Sequence, residues 1–202
     1  MPRLAGQIDQ AKSEAILDAA VDVLAERGLA APIEDIARRA GVSKQTIYNH
    51  YGSKAELVRA LVERRVEAII APLQSAQAQS DPEAALVEFA RVMLTALILP
   101  RSTAMVRLYI LGASEMPDLA RLVFEAGPKA SRQHLARFLD QEHQAGRMVI
   151  DDAGLAAQFF AGMVIGSYQI GELMGVDSGL SPAVIDEVAR NAAARFLRAY
   201  AS

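Results

Sequence analysis

The chain has 202 residues, 52% of them hydrophobic, and a net charge of −3. That apolar content suffices for one sizeable core or two small ones. With no cysteine, disulfides and thiolate metal sites are excluded, in keeping with a reducing cytoplasm.

Charge is segregated along the chain. Residues 27–65 hold eight basic side chains (Arg27, Arg38, Arg39, Lys44, Lys54, Arg59, Arg64 and Arg65) against four acids (Glu34, Asp35, Glu56 and Glu63). That window is net +4, leaving −7 for the remainder. Polar residues 1–12, with Arg3 and Lys12, lack the apolar run of a signal peptide and read as a frayed terminus or, less simply, a basic arm. From Ser13 to Arg27, Ile16, Leu17, Ala20 and Leu24 repeat at helical spacing, and Gly28 stops the helix. Pro32 opens a second helix with Ile33, Ile36, Ala37 and Ala40 on its inner face, and Glu34 and Asp35 favour its dipole. Arg38 and Arg39 read as a solvated face.

The next stretch carries the chemistry. Gly41 can take the left-handed conformation that closes a helix, and Ser43 can cap a new one. The short helix that follows turns Ile47 and Tyr51 inward and leaves Lys44, Gln45, Thr46, Tyr48 and Asn49 facing out. Gly52 ends it, and Ser53 to Glu56 reads as a capping box. A short helix with outward donors, set behind an earlier helix by a Gly-containing turn, suits insertion into a DNA groove. Lysine matches guanine acceptors, and Gln or Asn matches the paired donor and acceptor of adenine. Lys44, Gln45, Thr46 and Asn49 are therefore the candidate base contacts.

This region closely resembles the tetracycline-repressor-like (TetR) family of bacterial regulators. The matching residues are Ala15–Ala20, Gly28-Leu29, Ile33–Ala37 and, above all, the run from Ala40 to Leu57. The resemblance is specific over residues 13–60. It implies that Ser43, Tyr48, His50 and Lys54 touch phosphate, with packing as the plainer role for His50. One departure stands out: the family commonly places Ser or Thr before the first apolar residue of the second helix, and this chain has Ala31-Pro32 there. That contact is not carried over.

The helix from Ser53 runs to Pro72, and polar Gln74–Ser80 loosens the pattern. Asp81-Pro82-Glu83 starts a helix carrying Leu86, Phe89, Met93, Leu94 and Leu97 as far as Pro100. Apolar-patterned segments follow over Ser102–Gly112 and from Met116 toward Ala126, then a firm break is expected at Gly127-Pro128. Lys129–Ala145 makes an amphipathic helix closed by Gly146. Ser114–Ala120 and Glu125–Pro128 resemble the regulatory domain of the AefR-like branch of the same family. Asp151-Asp152 caps an apolar helix expected to run from Ala153 to Met174. Its uncharged run to Gly171 approaches the length of a membrane span, but Gln158, Ser167, Tyr168 and Gln169 interrupt it, which favours a buried helix. Gly162 and Gly166 share a face there, and Ser181-Pro182 begins the last helix, which ends near Tyr200.

The expected fold is all-α, with a helix-turn-helix domain over residues 10–70 and a ligand-binding and dimerisation bundle over 71–202. The family resemblance implies a homodimer through the last two long helices, double-stranded operator DNA as partner and release by a small-molecule effector, apolar in character. Met93, Leu97, Met105, Tyr109, Phe124, Phe138, Phe159, Met163 and Tyr168 are candidate pocket residues, with core packing as the plainer role of each. His134 and His143, nine apart, have poor spacing for a shared metal. No cofactor, metal or catalytic constellation is expected. The competing reading is an α-helical small-molecule-binding protein or enzyme whose N-terminal helices only pack.

Overall fold

The computed structural model describes residues 5–201, with side chains over residues 10–201. It is built of α1 (Ala5–Arg27), α2 (Ile33–Ala40), α3 (Lys44–Tyr51), α4 (Lys54–Gln74), α5 (Pro82–Ile98), α6 (Pro100–Leu111), α7 (Pro117–Phe124), α8 (Ala130–Gln144), α9 (Ala153–Ile165), α10 (Tyr168–Met174) and α11 (Pro182–Ala199). A 3₁₀ turn occupies Ala76–Gln79, and extended pairing among the described residues is confined to an isolated bridge between Met148 and Ala201. The all-α expectation holds. No helix among the described residues is long and apolar enough to cross a membrane.

Two compact units divide the chain, one of Met1–Arg64 with Ala104–Val123, the other of Arg65–Thr103 with Phe124–Ser202. The first has its own core: Ile16, Leu17, Ala20 and Leu24 of α1, Ile33 and Ile36 of α2, Ile47 of α3, and Leu57, Val58 and Leu61 of α4. These are the apolar positions of each helical repeat, and burying each such side chain contributes about 1.5–3 kcal/mol. The second unit centres on Leu86, Phe89 and Leu94 of α5, Leu135 and Leu139 of α8, Phe160 of α9 and Phe196 of α11. An aromatic file runs through it, with ring centroids 6.2 Å apart for Phe89 and Phe160, 5.1 Å for Phe160 and Phe196, and 4.6 Å for Phe196 and Tyr200.

Several helix starts follow local capping. Asp81, Asp152 and Ser181 each accept a hydrogen bond from the backbone N–H three residues on. Three expectations need correction. First, α1 begins at Ala5, not Ser13, because Gln7, Gln10, Ala11 and Lys12 are helix-compatible without an apolar repeat. Arg3, the other residue of the suggested basic arm, lies outside the described residues. Second, Gly127-Pro128 does not break the chain: Glu125–Lys129 forms a π turn joining α7 to α8. A proline ring collides with the carbonyl four residues back in an α-helix, and the wider π turn relieves that collision. Third, the expected helix from Ala153 to Met174 is two helices. Gly166, at φ 49° and ψ −134°, ends α9, a backbone conformation that side chains disfavour.

Candidate nucleic-acid interface

The turn between α2 and α3 is a Schellman closure. Gly41 sits at φ 66°, its N–H donates to Arg38 O, and Val42 N–H donates to Ala37 O at 3.0 Å. Ser43 then caps α3, its Oγ accepting from Thr46 N–H at 3.1 Å. Gly52, at φ 77°, ends α3 after eight residues, and Ser53 Oγ caps α4 by accepting from Glu56 N–H at 3.1 Å. The Glu56 carboxylate takes Arg59 at 2.9 Å. A helix of two turns is too short to persist alone. It is held by buried Ile47 on the inner face and, near its end, by Tyr51, whose hydroxyl bonds Ser13 Oγ of α1 at 2.9 Å.

Ser43, Lys44, Gln45, Tyr48, Asn49 and His50 are all exposed, and α3 contains no acid. Thr46 is half-buried, and its hydroxyl is bonded to Ser43 Oγ at 2.9 Å. Gln45 Nε2 donates to Asn49 Oδ1 at 2.7 Å, one turn along the same face. Lys44 Nζ pairs with Glu34 of α2 at 3.1 Å, holding the Glu34 carboxyl below its ordinary range together with a backbone hydrogen bond, the larger cause. His50 lies edge-on to Tyr51, with centroids 4.7 Å apart. Lys54 is placed differently. It is half-buried in α4, its ammonium donates to the carbonyls of Leu29 and Ala31, and burial lowers its pKa.

The local +4 of residues 27–65 is largely spent within the unit. Arg27 and Arg38 pair with buried Asp35, the latter at 2.8 Å. Arg39 bonds Glu26 at 2.8 Å, and Arg64 bridges Glu14 and Asp18 at 2.8 and 2.9 Å. Arg38 and Arg39 nonetheless remain exposed, the solvated face expected of them. Sequence reasoning missed Asp35 as a clamp on α1 and α2 and Glu34 as the holder of Lys44. The i,i+3 spacing of Asp35 and Arg38 was a local signal for one arm of that clamp, but Arg27 lies eight residues before Asp35 and Lys44 ten after Glu34, beyond the reach of helical spacing.

The nine candidate pocket residues are scattered. Met93, Leu97 and Phe138 are buried in the core of the second unit, with Tyr168 half-buried against it. Met105 and Tyr109 pack with the first unit's core. Phe124, Phe159 and Met163 are 54%, 54% and 42% exposed. Two open grooves in the second unit, of about 680 and 300 Å³, are lined by other residues, including Ser75, Asp81, Arg91 and Arg190 in the larger and Arg65, Val92, Thr95 and Leu99 in the smaller. No group of His, Cys, Asp or Glu side chains among the described residues could hold a metal.

A Gly-closed turn, a Ser-capped helix of eight residues and an acid-free outer face of amides, hydroxyls and one lysine define a helix-turn-helix DNA-binding protein. Residues 16–61 match the family model described as "Bacterial regulatory proteins, tetR family", and residues 84–202 match that of the "AefR-like transcriptional repressor, C-terminal domain". Among curated relatives, the HTH-type transcriptional repressor Rv3405c of Mycobacterium tuberculosis is 32% identical over 181 residues, 87% of this chain and 86% of its own. The HTH-type transcriptional activator FasR of Mycolicibacterium smegmatis is 42% identical over 62 residues, 30% of this chain and only 28% of its own length. Of solved structures, the flavonoid-responsive regulator FrrA superposes with a TM-score of 0.72 at 30% identity, covering 95% of this chain and 98% of that one. The chain belongs to the TetR family of bacterial regulatory proteins. Like its relatives it is a DNA-binding transcriptional regulator, of a family that binds operators and forms dimers.

Proposed function

We propose that this protein is a cytoplasmic repressor that binds a palindromic operator as a homodimer and leaves it on binding an apolar small molecule. The observation that carries the reading is α3: an acid-free helix with five side chains that can donate to base edges or phosphates on its exposed face. In this reading Lys44, Gln45 and Asn49 read base edges, and Ser43, Tyr48 and His50 hold phosphate. Thr46, bonded to Ser43, has the smaller part in readout. Paired α3 helices match half-sites about 34–36 Å apart, or a multiple of that spacing.

Leu155, Phe159 and Met163 recur every four residues along the exposed face of α9, and a Cβ added at Gly162 would meet open space. An apolar stripe of this kind supports pairing through the C-terminal helices, and it suits Phe159 and Met163 better than a pocket role does. An apolar effector is supported by the flavonoid-responsive description of FrrA. Release requires that the effector prefer the dimer whose reading helices are wrongly spaced.

The test is a fluorescence-anisotropy titration of the protein against DNA from upstream of its own coding region, with unrelated DNA as control, at several salt concentrations. Selective, salt-sensitive binding, reversed by an apolar compound, is the expected result. Absence of binding at low salt, with ligand-free protein and with operator sites selected from random sequence, overturns it.

A further inference from the structure

We propose that Lys54 serves DNA binding from inside the reading domain, as a positioning residue that fastens the loop between α1 and α2, and not as a phosphate contact. The functional half of this inference rests on the DNA-binding reading above. Lys54 Nζ donates to Leu29 O and to Ala31 O, the latter at 2.5 Å. Leu29 and Ala31 are 8% and 4% exposed, so their carbonyls have little access to water once the ammonium leaves. Two of the three ammonium N–H groups are spent on these buried acceptors, and swinging Nζ outward to a phosphate would forfeit both bonds.

The chain has a reason to need this fastening. Pro32 occupies the cap position of α2 with φ −71° and ψ 150° and makes no side-chain cap bond. Proline has no hydroxyl to offer the first N–H groups of α2, whereas Ser43 and Ser53 cap α3 and α4. The entry to α2 is instead gripped through the carbonyls just before it, from a residue in the first turn of α4. Position then passes along the chain, because the Gly41 turn sets α3 against α2. Lys54 thereby helps aim α3 without facing DNA. Desolvation of the ammonium, which lowers its pKa, agrees with this inward placement.

Lys54→Met keeps the apolar stem and removes the donors. Operator affinity would be measured across a salt series for the wild type and the variant, with thermal unfolding of both. A phosphate contact contributes about 0.9 to the slope of log affinity against log salt. The expected result is an unchanged slope, weaker operator binding and a Tm lower by several degrees, as loss of charge-assisted hydrogen bonds implies. A slope smaller by about 0.9, whatever Tm does, overturns the proposal, and so does an unchanged slope with unchanged Tm. Should the variant not fold, NMR of the Lys54 ammonium in the wild type, free and operator-bound, decides the matter. An unmoved signal supports the clamp, and scalar coupling to a DNA phosphorus overturns it. A wild type that binds no DNA would refute the functional reading instead, while the effect on Tm would still test the clamp.

Discussion

The two compact units are held together in different ways. In the first, the two eight-residue helices add caps, turns and single polar bonds to their share of the apolar core: Ser43 on α3, Tyr51 on Ser13, Lys54 on Leu29 and Ala31, Asp35 between Arg27 and Arg38. In the second, longer helices close on an aromatic file from Phe89 to Tyr200. Polar bonds have strict distance and angle requirements, so they fix the aim of a reading helix. Hydrophobic burial is non-directional and large, so it supplies stability while tolerating adjustment. A regulator needs both properties, in different places.

Substitutions can break this contrast, beginning with the largest expected effect. Phe160→Ala removes a fully buried ring between Phe89 and Phe196 and should cost about 3–5 kcal/mol, seen as a large fall in Tm. If most of the second unit's stability came from its surface ion pairs, that loss would be small. Asn49→Ala leaves the fold alone but removes the proposed base reader and the partner of Gln45, and should weaken operator binding about ten-fold or more. Random-DNA affinity should hold in the same titration, and an equal loss on both would assign Asn49 to the backbone. Ser43→Ala deletes the α3 cap and should lower stability by about 1 kcal/mol, read from denaturant unfolding.

Smaller effects sharpen the comparison. Glu34→Gln frees Lys44 from its exposed pair and should strengthen DNA binding a few-fold, most clearly at low salt. Weaker binding would mean that Glu34 positions Lys44 instead of competing for it. The last effect is one of pH. Because the folded pKa of Lys54 lies below its ordinary 10.5, the unfolded chain binds more protons between the two values. Stability therefore gains with rising pH in that window, and the gap between wild type and Lys54→Met should widen as pH approaches 10.5. A neutral amine still has two N–H donors for two carbonyls.

Local chemistry was legible in the sequence. Gly41, Ser43, Gly52, Asp81, Asp152 and Ser181 act within three or four residues of themselves, so their turns and caps follow from residue type and spacing. The all-α class, the reading helix and its outward residues came from the same short-range information. What escaped was long-range. The window of residues 27–65 is net +4 in sequence, yet Arg39 and Arg64 spend their charge on Glu26, Glu14 and Asp18 of α1, and only folding brings those acids near. Lys54 was readable as a cation near DNA but not as a donor to carbonyls more than twenty residues earlier.

Burial followed the same division. Helical spacing says which residues share a face, as for Leu155, Phe159 and Met163, four apart on α9. It cannot say whether that face meets the chain's own core or the solvent, because every apolar face has the same period. The sequence by itself therefore determined the helical class, the local caps and the family's reading motif. Tertiary structure alone decided which cations remained available, which aromatic side chains became core and where a proline-started helix found its missing anchor, since each depends on groups that the chain brings together only after it folds.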